Sequence, residues 1–196
     1  MYQRKASHVF SEREFVMMVK VEKDMKQYVN DLMNKYVGFF DVYREDKIGE
    51  TPLAFKAIYK RRDEKYFISK TIKVYGVETQ QCVFVAEKQE PVTKQFFNQF
   101  EKDVRANITK YVSHHSEHMS TVFLGVIVTD QPVSSELIKE VSKYRKIQFI
   151  KFGLHGWAEI YFAIVDVKGE QVYFHRKGKT FVEPFEKNFE IKGEEH

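Results

Sequence analysis

A carboxylate at Glu87, followed by Lys88 and Gln89, closes the apolar stretch QCVFVAEKQ at residues 81–89. Alternation along a strand puts Val83, Val85, Glu87 and Gln89 on one face. A carboxylate at a strand end, beside a second polar group, suits a hard divalent cation such as Mg²⁺ or Mn²⁺. Such a cation polarises a phosphate and generates a hydroxide nucleophile. Asp63 or Glu64, at the end of the preceding hairpin, is the candidate second acid. Lys88 falls on the other face, badly placed to stabilise charge. The plainer reading of residues 87–90 is a polar strand edge leading into a helix.

Three further clusters compete with it. His114 and His118 would share a helix face as metal ligands four residues apart, with Glu117 adding an oxygen. The spacing is not HExxH, and a solvated loop explains the same residues. Lys60, Arg61 and Arg62, with Lys56 and Lys65, interleave with Tyr59, Tyr66 and Phe67. That mixture could meet a nucleic-acid backbone, or simply keep a hairpin and its strand edge soluble. Residues 153–157, GLHGW, could shape a pocket, although a tryptophan after a glycine bend is expected to pack in the core. The sequence contains no GxGxxG, Walker A or G-x-S-x-G pattern. Cys82 lies mid-strand on the buried side, which argues against a nucleophilic role.

The elements that must position these groups follow from periodicity. Residues 12–36 carry Phe15, Met18, Met25, Val29, Leu32 and Tyr36 at helical steps, with Ser11 and Glu14 as a capping box. Short strands are expected at 39–43, 53–59, 66–75 and 81–87, with a turn at 44–51. Pro91 starts a second helix, to residue 111, with Phe97, Phe100, Val104 and Ile108 inward. Residues 121–129, TVFLGVIVT, read as a fully buried strand. Ser134 caps a helix over 135–145, and a strand over 147–152 comes next. That order predicts a parallel crossover. Residues 158–167 and 171–176 form a hairpin, and the ends, about 1–10 and 185–196, are expected to fray. The result is one mixed α/β domain over residues 1–196, with strands 81–87, 121–129 and 147–152 central.

The order helix, three strands, helix, strand, helix, strand resembles the core of the restriction-endonuclease-like, or PD-(D/E)xK, nuclease superfamily. VFVAEKQEPVTKQFFNQF resembles its catalytic strand and the helix after it. TVFLGVIVTDQPVSSELIKEVSKYRKIQFIKF resembles the next strand–helix–strand unit. The likeness spans residues 12–152. It implies catalytic positions at Glu87, Gln89 and Asp63, with Mg²⁺ or Mn²⁺ on Glu87 and Asp63. Lys60, Arg61 and Arg62 would contact phosphate. Gln89 fills the place where the family has lysine, and Asp63 sits in a turn, so a diverged or inactive site is implied as well.

Composition narrows the classes. The 196 residues include 18 Phe and 11 Tyr, too much aromatic bulk for a disordered chain. Net charge is +4, a mild excess for a nucleic-acid binder. One cysteine excludes an internal disulfide. No secretory signal or ~20-residue apolar span is visible, which leaves a cytoplasmic location and no membrane partner as the expectation. Two functions remain: a nuclease-like domain that acts on or binds nucleic acid, and a non-catalytic interaction module, homodimeric through an exposed aromatic patch.

Overall fold

The computed structural model describes residues 24–59, 80–112, 120–149 and 157–190. The elements are α1 (Met25–Val37), β1 (Asp41–Ile48), β2 (Thr51–Tyr59), β3 (Gln80–Lys88), α2 (Lys94–Tyr111), β4 (Ser120–Thr129), α3 (Ser135–Lys143), β5 (Arg145–Phe149), β6 (Trp157–Asp166) and β7 (Gln171–Phe174). A 3₁₀ turn, Arg176–Gly178, leads into α4 (Lys179–Glu190).

Strands β3, β4 and β6 are near-continuous apolar runs, as strands covered on both faces must be. They lie together and parallel at the centre of a mixed sheet ordered β1-β2-β3-β4-β6-β5. β4 pairs along all of β6, so β5 and β7 share the other side of β6, both antiparallel to it. Helices α1 and α4 cover one face, where Tyr28, Leu32, Tyr36, Val182 and Phe185 pack on the sheet. Helices α2 and α3 cover the other through Phe97, Phe100, Val104, Leu137 and Val141.

The α2/α3 face is organised around one missing side chain. Gly125 pairs with Phe162, and a Cβ there would stand 2.3 Å from the Phe162 ring. The ring therefore lies across the glycine and meets Phe97, Phe100 and Tyr144 edge-on at 5.3, 5.3 and 4.9 Å. Each such pair contributes about 0.5–1.5 kcal/mol beyond its burial.

The opposite face is stitched by polar groups. The Tyr28 hydroxyl donates to the Phe185 carbonyl at 2.7 Å, and Asn188 Nδ2 donates to the Tyr28 carbonyl at 2.9 Å. Lys35 Nζ reaches Asn188 Oδ1 at 2.6 Å. Tyr36 is fully buried, yet its hydroxyl has no hydrogen-bond partner among the described residues.

Several expectations change. Residues 44–48 belong to β1 and not to a turn. Among the described residues β1 is an edge strand whose ladder comes from β2 alone, so polar side chains face water without cost. The turn shrinks to Gly49-Glu50, held down by Asp103 of α2. That carboxylate accepts from Glu50 N at 3.1 Å and Thr51 Oγ1 at 2.7 Å. Helix α2 begins at Lys94 and not at Pro91, because the Thr93 side chain caps it by accepting from Phe96 N. The strand after α3 does not pair with β4. It is an antiparallel edge strand, and β6 takes the central place. The end expected to fray from residue 185 is helical through Glu190, with Phe185 and Asn188 buried. The expected strand at 66–75 and the helix residues before 24 lie outside the described residues. No helix among the described residues is long and apolar enough to cross a membrane.

Candidate functional site

Glu87 sits one residue from the end of β3, on the face covered by α1, because Val83 and Val85 share its parity and pack in that core. Its ladder neighbour on β4 is Val128, which is fully buried. Partial burial raises its carboxyl above the usual carboxylate range. Of the charges at the start of α1, Lys26 opposes that rise and Asp24 adds to it. A hard divalent cation needs several converging oxygens. Among the described residues no group of three or more His, Cys, Asp or Glu side chains converges in that way. The described surroundings of Glu87 therefore do not fit a metal.

Gln89 is exposed in the bend past the strand. Lys88 faces the other way, as its parity requires, where it pairs with Glu90 and lies 5.5 Å from the Phe96 ring. Lys88, Glu90 and Phe96 help line an open groove of about 390 Å³, which the sheet separates from Glu87. Lys60, Arg61, Arg62, Asp63, Glu64, His114, Glu117 and His118 lie outside the described residues. Two neighbours of the basic run are described, and each has a partner within the chain. Lys56 is paired with Asp46, and Tyr59 packs against Phe40 with ring centroids 5.7 Å apart.

A different constellation assembles at the β5 edge. The antiparallel register places Arg145 opposite Tyr161, Ile147 opposite Glu159 and Phe149 opposite Trp157. Directly opposed residues share a face. This is the α1/α4 face, since Tyr161 is buried in that core. The helices stop short of the edge, leaving Ile147 45%, Phe149 68% and Trp157 39% exposed. Trp157 is thus not the core residue that its glycine bend suggests.

Charge is fixed beside this apolar strip. The Tyr161 hydroxyl donates to Glu159 Oε2 at 2.6 Å. Arg145 Nε donates to the Tyr161 oxygen at 3.1 Å, and its Nη2 lies 3.2 Å from Glu159 Oε2. The 3₁₀ turn then closes over the buried part of Tyr161. A Cβ on Gly178 would come within 3.1 Å of that ring, so glycine lets the turn approach closely. His175 Nδ1 accepts from Lys177 N at 3.2 Å and caps the turn. Partial burial, with Arg145, Arg176 and Lys177 around it, lowers the His175 pKa and favours the neutral ring that this acceptance requires. The side chains of Arg176, Lys177 and Lys179 form no ion pair among the described residues.

A hairpin ending at residue 176 leaves Lys177, Gly178 and Lys179 without a role. The available signal is HRKGK at 175–179, which has three cations and no acid before Glu183. The strand alternation of Arg145, Ile147 and Phe149 is a second signal, masked when this strand is taken as buried.

No curated protein and no solved structure matches the chain. The model of a family described as a domain of unknown function, DUF8052, matches residues 24–187. That span runs from the residue preceding α1 through most of α4 and includes both candidate regions, so the chain belongs to the DUF8052 family.

Proposed function

We propose that the chain is a nucleic-acid-binding module on a nuclease-like scaffold, and that it binds without cutting at Glu87. The observation that carries this reading is the trio Arg176, Lys177 and Lys179, which form no ion pair among the described residues, with Arg176 and Lys177 sharing with Arg145 the surroundings of His175. Cations held in a fixed array attract a phosphate backbone and release its counterions on contact. The element order α1, β1-β2-β3, α2, β4, α3 and a further strand supports the nuclease-like scaffold. The apolar neighbours of Glu87 support binding over hydrolysis. Anisotropy with labelled DNA and RNA, over a range of salt, tests the binding. A cleavage assay with Mg²⁺ and Mn²⁺, on wild type and Glu87→Ala, tests the chemistry. Salt-sensitive binding without Glu87-dependent cleavage is the expected outcome. Absence of binding at low salt refutes the reading, and cleavage lost in Glu87→Ala refutes its second half.

A homodimer is the second reading, favoured by exposed Ile147 and Phe149 on the edge strand β5, a surface open to strand pairing, with Trp157 of β6 exposed beside them. Sedimentation at increasing concentration separates the two.

A further inference from the structure

The geometry points to the β5–β6 edge and its 3₁₀ turn as a surface for single-stranded nucleic acid, with Trp157 and Phe149 stacking on bases and Arg145, Arg176 and Lys177 holding phosphates. This rests on the binding function proposed above and adds the class of nucleic acid and the place of contact.

Water reaches three large apolar side chains along this edge. A single exposed hydrophobic residue is ordinary, but a contiguous strip of them marks an interaction surface. Phe149 and Trp157 stand directly opposite each other, with Ile147 two residues along the same face. Planar rings offered in this way suit stacking, which every base can enter because every base has a π-face. A duplex keeps its base faces stacked inside, so the rings have nothing to meet there. The cations supply the other half. From the Phe149–Trp157 pair to the Arg145–Tyr161 pair the strand rises about 13 Å, at ~3.3 Å per residue. Aromatic and cationic groups therefore follow each other along one line, the pattern that tracks a flexible strand. Arg145 is oriented by Glu159 and Tyr161, and Gly178 seats the backbone of the turn that carries Arg176 and Lys177.

The same charges argue against a second copy of the chain as occupant. A second copy would bring the same net positive charge to this edge, since Glu159 and Glu101 offset Arg145 and Lys146 while Arg176 and Lys177 form no ion pair among the described residues. Like charges across an interface are costly.

Trp157 is the chain's only tryptophan, so intrinsic fluorescence reports on this surface directly. Titration with oligothymidylate and oligouridylate should quench it, and a duplex of equal length should bind more weakly. By anisotropy with labelled oligothymidylate, Trp157→Ala and Phe149→Ala should each weaken binding roughly 5- to 100-fold, as loss of a stacking partner does. Both side chains are substantially exposed, and thermal melts of the variants check that the fold is kept. Arg176→Ala and Lys177→Ala should each lower the slope of log affinity against log salt by about 0.7. Lys102→Ala, an exposed cation on α2, should change neither quantity. Failure to bind any nucleic acid overturns both this inference and the function it rests on. Binding with no tryptophan quenching, no loss in Trp157→Ala and Phe149→Ala, or a preference for duplex overturns the inference alone. So does finding that Phe149→Ala abolishes a dimer, or binding to anionic vesicles, while oligonucleotide affinity is unchanged.

Discussion

Glu87 closes β3 level with Val128 of β4, whereas Trp157 opens β6 level with Ser120, so the two stand at opposite ends of the parallel ladder. At the first end the Glu87 carboxylate is partly buried beside an apolar neighbour, and burial works against its charge. At the second end apolar rings are exposed, and farther along the same face Arg145 of β5 and the cations of the 3₁₀ turn gather around His175. The first region has the residue type that chemistry asks for without a converging set of ligands among the described residues. The second has neighbours brought together from different strands and a turn, as Arg145 and Tyr161, 16 residues apart in sequence, are. Convergence of groups, more than the identity of one, separates a binding surface from a polar strand end.

The largest expected effect breaks the frame that holds both regions. Gly125→Ala would force the Phe162 ring against Phe97, Phe100 and Tyr144, at a cost of about 2–3 kcal/mol in urea unfolding. A cost near zero would mean that this centre yields easily and does not fix the two ends relative to each other.

A smaller effect separates the two buried tyrosines of α1, the helix whose start places Asp24 and Lys26 near Glu87. Burial holds both hydroxyls protonated well above the ordinary tyrosine range. Tyr28→Phe removes the bond to α4, the helix that follows the cationic turn, and should cost about 1 kcal/mol. Tyr36→Phe removes a hydroxyl without a partner among the described residues and should be neutral or stabilising. Equal losses in the two variants, by chemical denaturation, would contradict the assigned hydrogen bonds.

The smallest effect tests Glu87. Its pKa is raised in the folded state, so folding favours the protonated form. Stability is therefore greatest below the ordinary carboxylate pKa and declines as pH rises through the raised one. Glu87→Gln lacks that decline. It should melt slightly higher than wild type at pH 7, and the difference should shrink to nothing as pH falls below about 4.3. A lower melting temperature at pH 7 would show that the charge has a favourable partner.

Much of the fold was legible because long apolar runs leave little choice. Residues 121–129 had to be a strand buried on both faces, and they are. The neighbour of that strand was not legible, because periodicity reports which face is buried and not which strand lies alongside. β6, the longer apolar run, takes the centre, and β5, with Lys146 and Gln148 alternating, goes to the edge. Helix α4 escaped because Pro184 interrupts it and a polar tail follows, although Phe181, Phe185 and Phe189 recur at four-residue steps. The candidate site was legible only at Glu87, where motif and position coincide along the chain. The β5 edge depends on a pairing register that joins residue 149 to residue 157 and on a turn that returns to Tyr161, and no local pattern encodes either.

The most direct test compares the two ends in one experiment, a titration of labelled single-stranded oligonucleotide into wild type, Glu87→Gln and Trp157→Ala at the same low salt. Glu87→Gln should bind as wild type does, and Trp157→Ala should bind at least about fivefold more weakly. Affinity lost in Glu87→Gln and kept in Trp157→Ala would contradict the account.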